Sequence, residues 1–426
     1  MDFNDSPQEA KIREEVRAFL SQHAEEKDIN AEEEGMMSMF EEEGSDEQFS
    51  QIVTAAREWQ QTKADAGWAC VTWPKQYGGR GGSILENIIF SQEEAKFKVP
   101  NTSVFMLGIG LAGPTIQVHG TEAQREKFLP RILRGEDIWC QLFSEPAAGS
   151  DLAGLRTSAV KDGDEWVVNG QKVWNSGAHY SNWGILVTRT DPTVPKHKGM
   201  TYFLVDMNSP GIEVRPIKQI TGGANFNEVF MTDVRIPDAN RLDQVGNGWA
   251  VALTTLMNER MGIGGGFGMF GGVGLVRNLV KILETYHVNG QLAIYDSASR
   301  QRIASYYSRL KALELTGNRL MSGLAKGGVP GVEGSTLKLS IGLLMQEMAA
   351  FCMEIQGPMG ALVDENAFAH GTFQQLYLGI PAIRIAGGTD EIQRNIIGER
   401  MLGLPSEQRV DKGIPFNEIP TSARVA

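Results

Sequence analysis

The chain has 426 residues, 42% of them hydrophobic and 22% charged, enough for two or three domains, or one multilayer unit, with ample core. A net charge of −12 and a pI near 5.2 argue against a broad nucleic-acid footprint, and acidic runs such as AEEEGMMSMFEEEGSDE would be repelled by anionic membranes. No run approaches the roughly 20 apolar residues that a membrane helix needs, Cys70, Cys140 and Cys352 lack metal-ligand spacing, and the charged start lacks a secretory or transit pattern, so a cytoplasmic protein with reduced thiols and no metal is expected.

The first helix announces itself at Ser6 and Pro7: Ser6 can cap, Glu9 completes a capping box, and Ile12, Val16, Phe19 and Leu20 form one apolar stripe. Helical patterns continue to about residue 138, among them GTEAQREKFLPRILRGE, with a Thr cap and a Gly stop. From 139 the texture becomes strand-like. DEWVVNGQKVWNSG places Asn169-Gly170 between β-prone runs, which predicts a hairpin there. WGILVTRT, MTYFLVDM and NEVFMTDVRIP read as further strands, helical periodicity returns after 243, and the last twenty residues read as a polar tail. The order α, β, α predicts an α+β protein, mainly α, with segregated regions at 1–138, 139–242 and 243–405 and a tail at 406–426.

Three segments carry a family resemblance. CQLFSEPAAGSDLAGLRTSAVKDGDEWVVNGQKVWNSG (140–177) resembles the flavin-binding signature of the acyl-CoA dehydrogenases, and GNGWAVALTTLMNER and IAGGTDEIQRNIIGERMLGLP are similar to that family's C-terminal segments in order and spacing. The resemblance spans about 400 residues. It implies an N-terminal helical domain, a central antiparallel β domain and a C-terminal four-helix bundle, with FAD bound between them and a homo-oligomer, dimer or tetramer, as the assembly. It also implies that Gln141, Phe143 and Ser144 line the pyrimidine side of the flavin. Gly149 and Ser150 then sit by the pyrophosphate, where backbone amides of a Gly-Ser turn suit a phosphate. Trp174 flanks the ring and Ser176 offers a hydroxyl near N5. Gly388, Thr389 and Glu391 lie close to the cofactor, and Gln356 matches a position that approaches a neighbouring subunit's FAD. Ser150, Arg260 and Gly388 are the matching substrate contacts. Gln141 departs from the pattern, since an aromatic residue often stands there.

Oxidising a saturated thioester needs a base for the α-proton as well as a hydride acceptor. Many members of the family carry Glu at the position of Gly387, which has no side chain to offer. In a minority the catalytic Glu stands on an earlier helix and precedes an Arg, as Glu259 precedes Arg260 in LTTLMNERMGIGG. Independently, Ala252, Leu256, Glu259 and Ile263 share one helical face. A carboxylate on that apolar stripe is expected to be desolvated, with a raised pKa that suits a base near neutrality. The competing reading is an exposed Glu259 paired with a neighbouring cation; Asp390 and Glu391 are the other carboxylates nearby.

Other signals count for less. GFGMFG at 266–271 matches a dinucleotide fingerprint only formally, because no βαβ unit surrounds it. Eight glycines between 262 and 274 each cost a helix about 1 kcal/mol relative to Ala; they fit either close helix packing or space for a bulky, branched or cyclic acyl group. The family's R-x-x-F-G pattern is missing from HVNGQLAIYDSASRQRIA (287–304). His179 reads as a packing residue, and Ser144 has no readable triad partners. The expected function is FAD-dependent α,β-dehydrogenation of an acyl-CoA thioester, with electrons passed to an electron-transfer flavoprotein. The alternatives are an acyl-CoA oxidase on the same fold and a non-catalytic acyl-CoA-binding paralogue.

Overall fold

Helix α1, Pro7–His23, opens with Ser6 accepting from the Glu9 amide while the Glu9 carboxylate accepts from the Ser6 amide, the predicted capping box. Its stripe buries Val16, Phe19 and Leu20, with Ile12 alongside, against Trp59, Trp68, Phe90 and Phe97. The computed structural model describes residues 5–27, 46–265, 274–325, 332–363, 366–409 and 411–420; GFGMFG at 266–271, and with it the centre of the glycine run, lies outside them. Strands β1 (Glu25–Glu26) and β2 (Phe97–Lys98) pair antiparallel. Helices α2 (Asp46–Asp65), α3 (Ile84–Glu94), α4 (Gly113–His119) and α5 (Glu122–Leu133) complete the N-terminal helical region. Thr121 caps α5 through a second capping box with Gln124, and Gly135 follows its end at φ 67°.

The central sheet contains β3 (Trp139–Leu142), β4 (Ser158–Asp162), β5 (Glu165–Lys172), β6 (Trp183–Arg189), β7 (Met200–Asp206), β8 (Ile212–Ile217), β9 (Phe226–Pro237) and β10 (Arg241–Leu242). Among the described residues their order is β10, β7, β6, β4, β5, β9, β8, with β3 beside β6. Pairs are antiparallel except that β3 and β4 each meet β6 in parallel. The β6 and β7 runs are buried on both faces, so their side chains divide by alternation. Ile185, Val187, Tyr202 and Leu204 pack with the N-terminal helices, and Leu186, Phe203 and Val205 pack with Val229 and Met231 of β9.

The predicted hairpin at Asn169-Gly170 is wrong in place. The chain reverses at Gly163-Asp164, between β4 and β5, whereas Asn169-Gly170 lies inside β5 at a register shift against β9. There the Asn169 amide nitrogen donates to Asp233 Oδ1 at 3.0 Å and its oxygen accepts from the Asp233 amide at 2.9 Å. A Cβ on Gly170 would stand 2.4 Å from Thr157 Oγ1, so this glycine serves close backbone approach. Bulges and tight turns select the same residues, and spacing alone does not separate them.

Helix α6, Gly248–Gly265, is fixed from two sides. Thr255 Oγ1 lies 2.9 Å from Thr115 Oγ1 of α4 and 3.0 Å from the Tyr202 hydroxyl of β7. Thr254 Oγ1 meets His119 Nε2 at 2.8 Å, and His119 Nδ1 meets Asp243 at 2.9 Å. Helices α7 (Gly274–Thr285), α8 (Ser297–Ala325), α9 (Glu333–Gln356) and α10 (Thr372–Gly379) then share a core that includes Leu279, Ile282, Leu310, Leu344, Met348 and Phe373. Helix α11, Asp390–Ile396, packs on α9. The polar end read as a tail folds back: Pro415 bridges to Pro195 and the Phe416 amide donates to Val194 O at 2.9 Å.

Candidate active site

The segment after β3 is organised by a buried ion pair that the sequence reading missed. Lys172, with a fully buried side chain, donates to Glu145 and to Phe143 O, both at 2.9 Å. Glu145 also accepts from the Arg156 and Thr157 amides at 2.7 and 2.8 Å. Taking both charges out of water is costly, and only this near-complete set of partners makes the arrangement tolerable. Burial pushes the Lys172 ammonium down to about 8. The same burial raises Glu145, but the Lys172 charge and the donors outweigh it and hold the carboxyl below its ordinary range. The pair thus pins both ends of residues 143–157 to the last residue of β5.

Beyond β5 the chain presents Trp174 in the left-handed region, φ 63°, and 60% exposed. Its ring meets Phe226 edge-to-face at 6.1 Å and otherwise offers an open aromatic surface. Asn175 is buried, its amide nitrogen donating to Gln141 O at 2.7 Å, while its Oδ1 has no hydrogen-bond partner. The Val173 amide donates to Ser144 O at 2.9 Å. Gln141, Ser144, Trp174 and Ser176 are thereby brought to one edge of the sheet. The Phe143 ring, in contrast, packs into the core edge-to-face on Tyr202 at 5.8 Å, and its carbonyl is taken by Lys172. Gly149, Ser150 and Ser176 are exposed, and no hydrogen bond among the described residues engages the two serine hydroxyls.

Glu259 stands on α6 within reach of that edge. Gln141 Nε2 donates to Glu259 Oε2 at 3.4 Å, and the backbone N–H of Gly387 also donates to this carboxylate. Burial dominates its titration and pushes the carboxyl above the ordinary value, against the opposing effects of Gln141, Arg260, Gly387 and Lys338. Arg260 beside it is half-buried, and that burial lowers its guanidinium from the usual value. Ala252 of the predicted stripe is buried and Leu256 packs on the same core; the Ile263 side chain lies outside the described residues.

The 387–389 loop is built to hold its backbone still. Gly387 and Gly388 both sit at positive φ, 65° and 90°, where a side chain would be strained. Thr389 caps α11 by accepting from the Ile392 amide at 3.3 Å. Gln393 Nε2 donates to Gly387 O at 2.8 Å. Lys338 of α9, its side chain fully buried, donates to Gly388 O at 2.6 Å and lies 3.8 Å from Asp390, which Arg384 binds at 2.6 Å. Of the fallback carboxylates, Asp390 is therefore engaged in this loop and Glu391 is exposed. Gln356 is 2% exposed inside the bundle, donating to Cys352 O and accepting from Gln374, and no contact among the described residues joins it to the cluster above.

Lys338 was findable, since STLKLSIGLL places a lone lysine on an apolar helical run. Among the described residues no group of three or more His, Cys, Asp or Glu could hold a metal ion, and no helix is long and apolar enough to cross a membrane.

Sequence models of the acyl-CoA dehydrogenase family match in chain order: its N-terminal domain over residues 6–136, its middle domain over 140–234 and its C-terminal domain over 246–402. The acyl-CoA dehydrogenase IpdE1 of Mycobacterium tuberculosis is 39% identical over 354 residues, covering 83% of this chain and 89% of that protein. The chain belongs to the acyl-CoA dehydrogenase family. Acyl-CoA dehydrogenase FadE34 of the same organism is 42% identical over 343 residues, 80% of this chain, which in turn spans 45% of that longer relative. The structure named Tcur3481-Tcur3483 steroid ACAD superposes with a TM-score of 0.76 at 27% identity, covering 96% of this chain and all of that one. Acyl-CoA dehydrogenases are FAD-dependent oxidoreductases. The edge described above suits that cofactor: an aromatic face at Trp174, an unpartnered buried acceptor at Asn175, and free hydroxyls at Ser150 and Ser176.

Proposed function

We propose that the chain oxidises an acyl-CoA thioester between Cα and Cβ to the 2-enoyl-CoA, with Glu259 as the base. The observation that carries this reading is the placement of a partly buried carboxylate with a raised pKa between Gln141 at the sheet edge and the Gly387 amide of the loop. FAD, when bound, supplies the acceptor for the hydride equivalent that leaves Cβ. Glu259, ionised before reaction, takes the α-proton. Its desolvation makes it a stronger base than a carboxylate in water, and the Gln141 and Gly387 donors hold one orientation through the transfer.

In the same reading Gln141, the Phe143 backbone, Ser144, Trp174 and Ser176 hold the flavin, Gly149 and Ser150 the pyrophosphate, and Gly388, Thr389 and Glu391 close the site. Ser150, Arg260 and Gly388 meet the substrate, and Gln356 reaches a neighbouring subunit's cofactor. A bulky, cyclic acyl group is the favoured substrate class, a reading supported by the neighbour named a steroid ACAD. The electron acceptor is an electron-transfer flavoprotein, and the enzyme acts in the cytoplasm. Exposed Ile385, Leu402 and Leu404 support assembly as a homo-oligomer. The test is product analysis with a panel of straight, branched and polycyclic acyl-CoAs and an artificial electron acceptor. A product short of two hydrogens with an α,β double bond is expected, and the absence of such a product across the panel would overturn the reading.

A further inference from the structure

The Glu145–Lys172 pair holds the 143–157 segment from one side; a second, separate set of contacts holds it from the other. Lys196 is 6% exposed, and its ammonium binds Asp151 at 2.7 Å and Asp411 at 2.5 Å. Asp151 directly follows the Gly149-Ser150 turn. Arg189, 4% exposed, donates to Lys196 O and Ala153 O, both at 2.5 Å, and to Leu155 O at 3.3 Å. The Phe416 ring covers that guanidinium at 3.9 Å, with the Arg156 guanidinium at 5.6 Å. Main-chain bonds fix the register of this cover: Phe416 N donates to Val194 O and Asn417 N to Pro192 O, both at 2.9 Å. Arg409 adds a second cation to Asp411 at 3.1 Å.

Lys196 and Arg189 contact residues 151–155 directly, and Asp411 and Phe416, about 260 positions later in sequence than that segment, close over these two cations. Two buried cations are involved, and each depends on the chain end to complete its surroundings: Lys196 on the Asp411 carboxylate, Arg189 on the Phe416 ring. Removing Asp411 leaves Lys196 with Asp151 as its remaining carboxylate partner, and removing the Phe416 ring uncovers the Arg189 guanidinium that holds the carbonyls of Ala153 and Leu155. The turn that precedes them then loses its fixed backbone, and a phosphate cradle made of backbone amides works only when those amides are held in place.

We propose that the 411–417 segment is a positioning strap for the cofactor: Asp411 and Phe416, acting through Lys196 and Arg189, hold the Gly149-Ser150 turn in the conformation that receives the pyrophosphate of FAD. The inference rests on the assignment of Gly149 and Ser150 to the pyrophosphate under the proposed function. The strap residues touch neither substrate nor cofactor; they act through the loop.

The experiment is FAD titration of the full-length apoprotein by flavin fluorescence, paired with the melting temperature with and without FAD. The variants are Phe416→Ala, Asp411→Asn and the conservative Phe416→Trp, with Ser150→Asp as the control for the pyrophosphate assignment. Phe416→Ala and Asp411→Asn are expected to weaken FAD by about tenfold, the consequence of a less firmly held turn. Phe416→Trp, which keeps an aromatic face, is expected to retain most of the affinity. A purely structural strap would lower the melting temperature of apo and FAD-bound protein equally; a positioning strap narrows the gap between them. An unchanged gap and unchanged FAD affinity in both strap variants, with Ser150→Asp weakening FAD, would overturn the strap alone. If Ser150→Asp leaves FAD binding intact, the pyrophosphate assignment falls and the strap's role with it.

Discussion

The Gly387 amide donates to the Glu259 carboxylate, so the loop position that carries no side chain and the carboxylate of α6 lie against each other in space. A carboxylate carried by α6 reaches the loop between α10 and α11, and the loop answers with a backbone donor in place of a side chain.

Replacing the proposed base separates function from stability. Glu259→Gln is expected to lower the rate of dehydrogenation by about 10²–10⁴-fold, the span for loss of a general base. The same change is expected to stabilise the fold. The Glu259 pKa is raised by burial, so the folded state favours the protonated form, and stability is lost as pH rises through the folded pKa. A neutral amide escapes that loss. Melting temperatures from pH 4 to 8 check this: the variant's advantage should appear at the upper end and vanish below the ordinary carboxylate value of 4.5.

Gln141 bears on the titration of the proposed base. Its amide opposes the effect of burial on Glu259, so Gln141→Leu should move the acid limb of the rate profile to higher pH, and the limiting rate at high pH should fall as Glu259 loses a donor that orients it. The profile of flavin reduction against pH measures the displacement.

Lys338 acts at a distance and through the loop. Lys338→Met removes a donor to Gly388 O and a positive charge that favours ionised Glu259. The acid limb should again move up, and the limiting rate should fall as the Gly387 amide loses its fixed position. The stability cost is expected to be about 1–3 kcal/mol, because Gly388 O and part of Asp390 lose a buried partner. Denaturant unfolding checks the cost, and the pH profile separates the two effects.

The Glu145–Lys172 pair braces residues 143–157 against β5. Lys172→Met should destabilise the protein by about 3–5 kcal/mol by leaving Glu145 buried and unpaired. Adding Glu145→Gln to Lys172→Met should recover part of that loss. A double-mutant cycle by urea denaturation reads the coupling.

The order α, β, α and the run of strands from 139 were legible because caps and β-prone runs are local. The face shared by Ala252, Leu256 and Glu259 was legible because helical periodicity is local too. Lys338 carried a local signal as a lone lysine on an apolar helical run, but Lys172 and the ion pairs of Asp390 did not, because a buried charge is recognised by partners far away in sequence. The hairpin at Asn169-Gly170 was misplaced for a related reason: only the distant neighbours Thr157 and Asp233 reveal a bulge. The end of the chain looked like a tail because its polar composition hides one aromatic, Phe416, whose seat on Arg189 belongs to the fold alone.

The central claim is that Glu259 is the base of an acyl-CoA dehydrogenation. The most direct test is anaerobic mixing of FAD-loaded wild type and Glu259→Gln with a bulky cyclic acyl-CoA, following flavin absorbance. The account predicts rapid bleaching in the wild type and none on that timescale in the variant, with FAD and ligand binding retained in both. Bleaching at an unchanged rate in Glu259→Gln would contradict it.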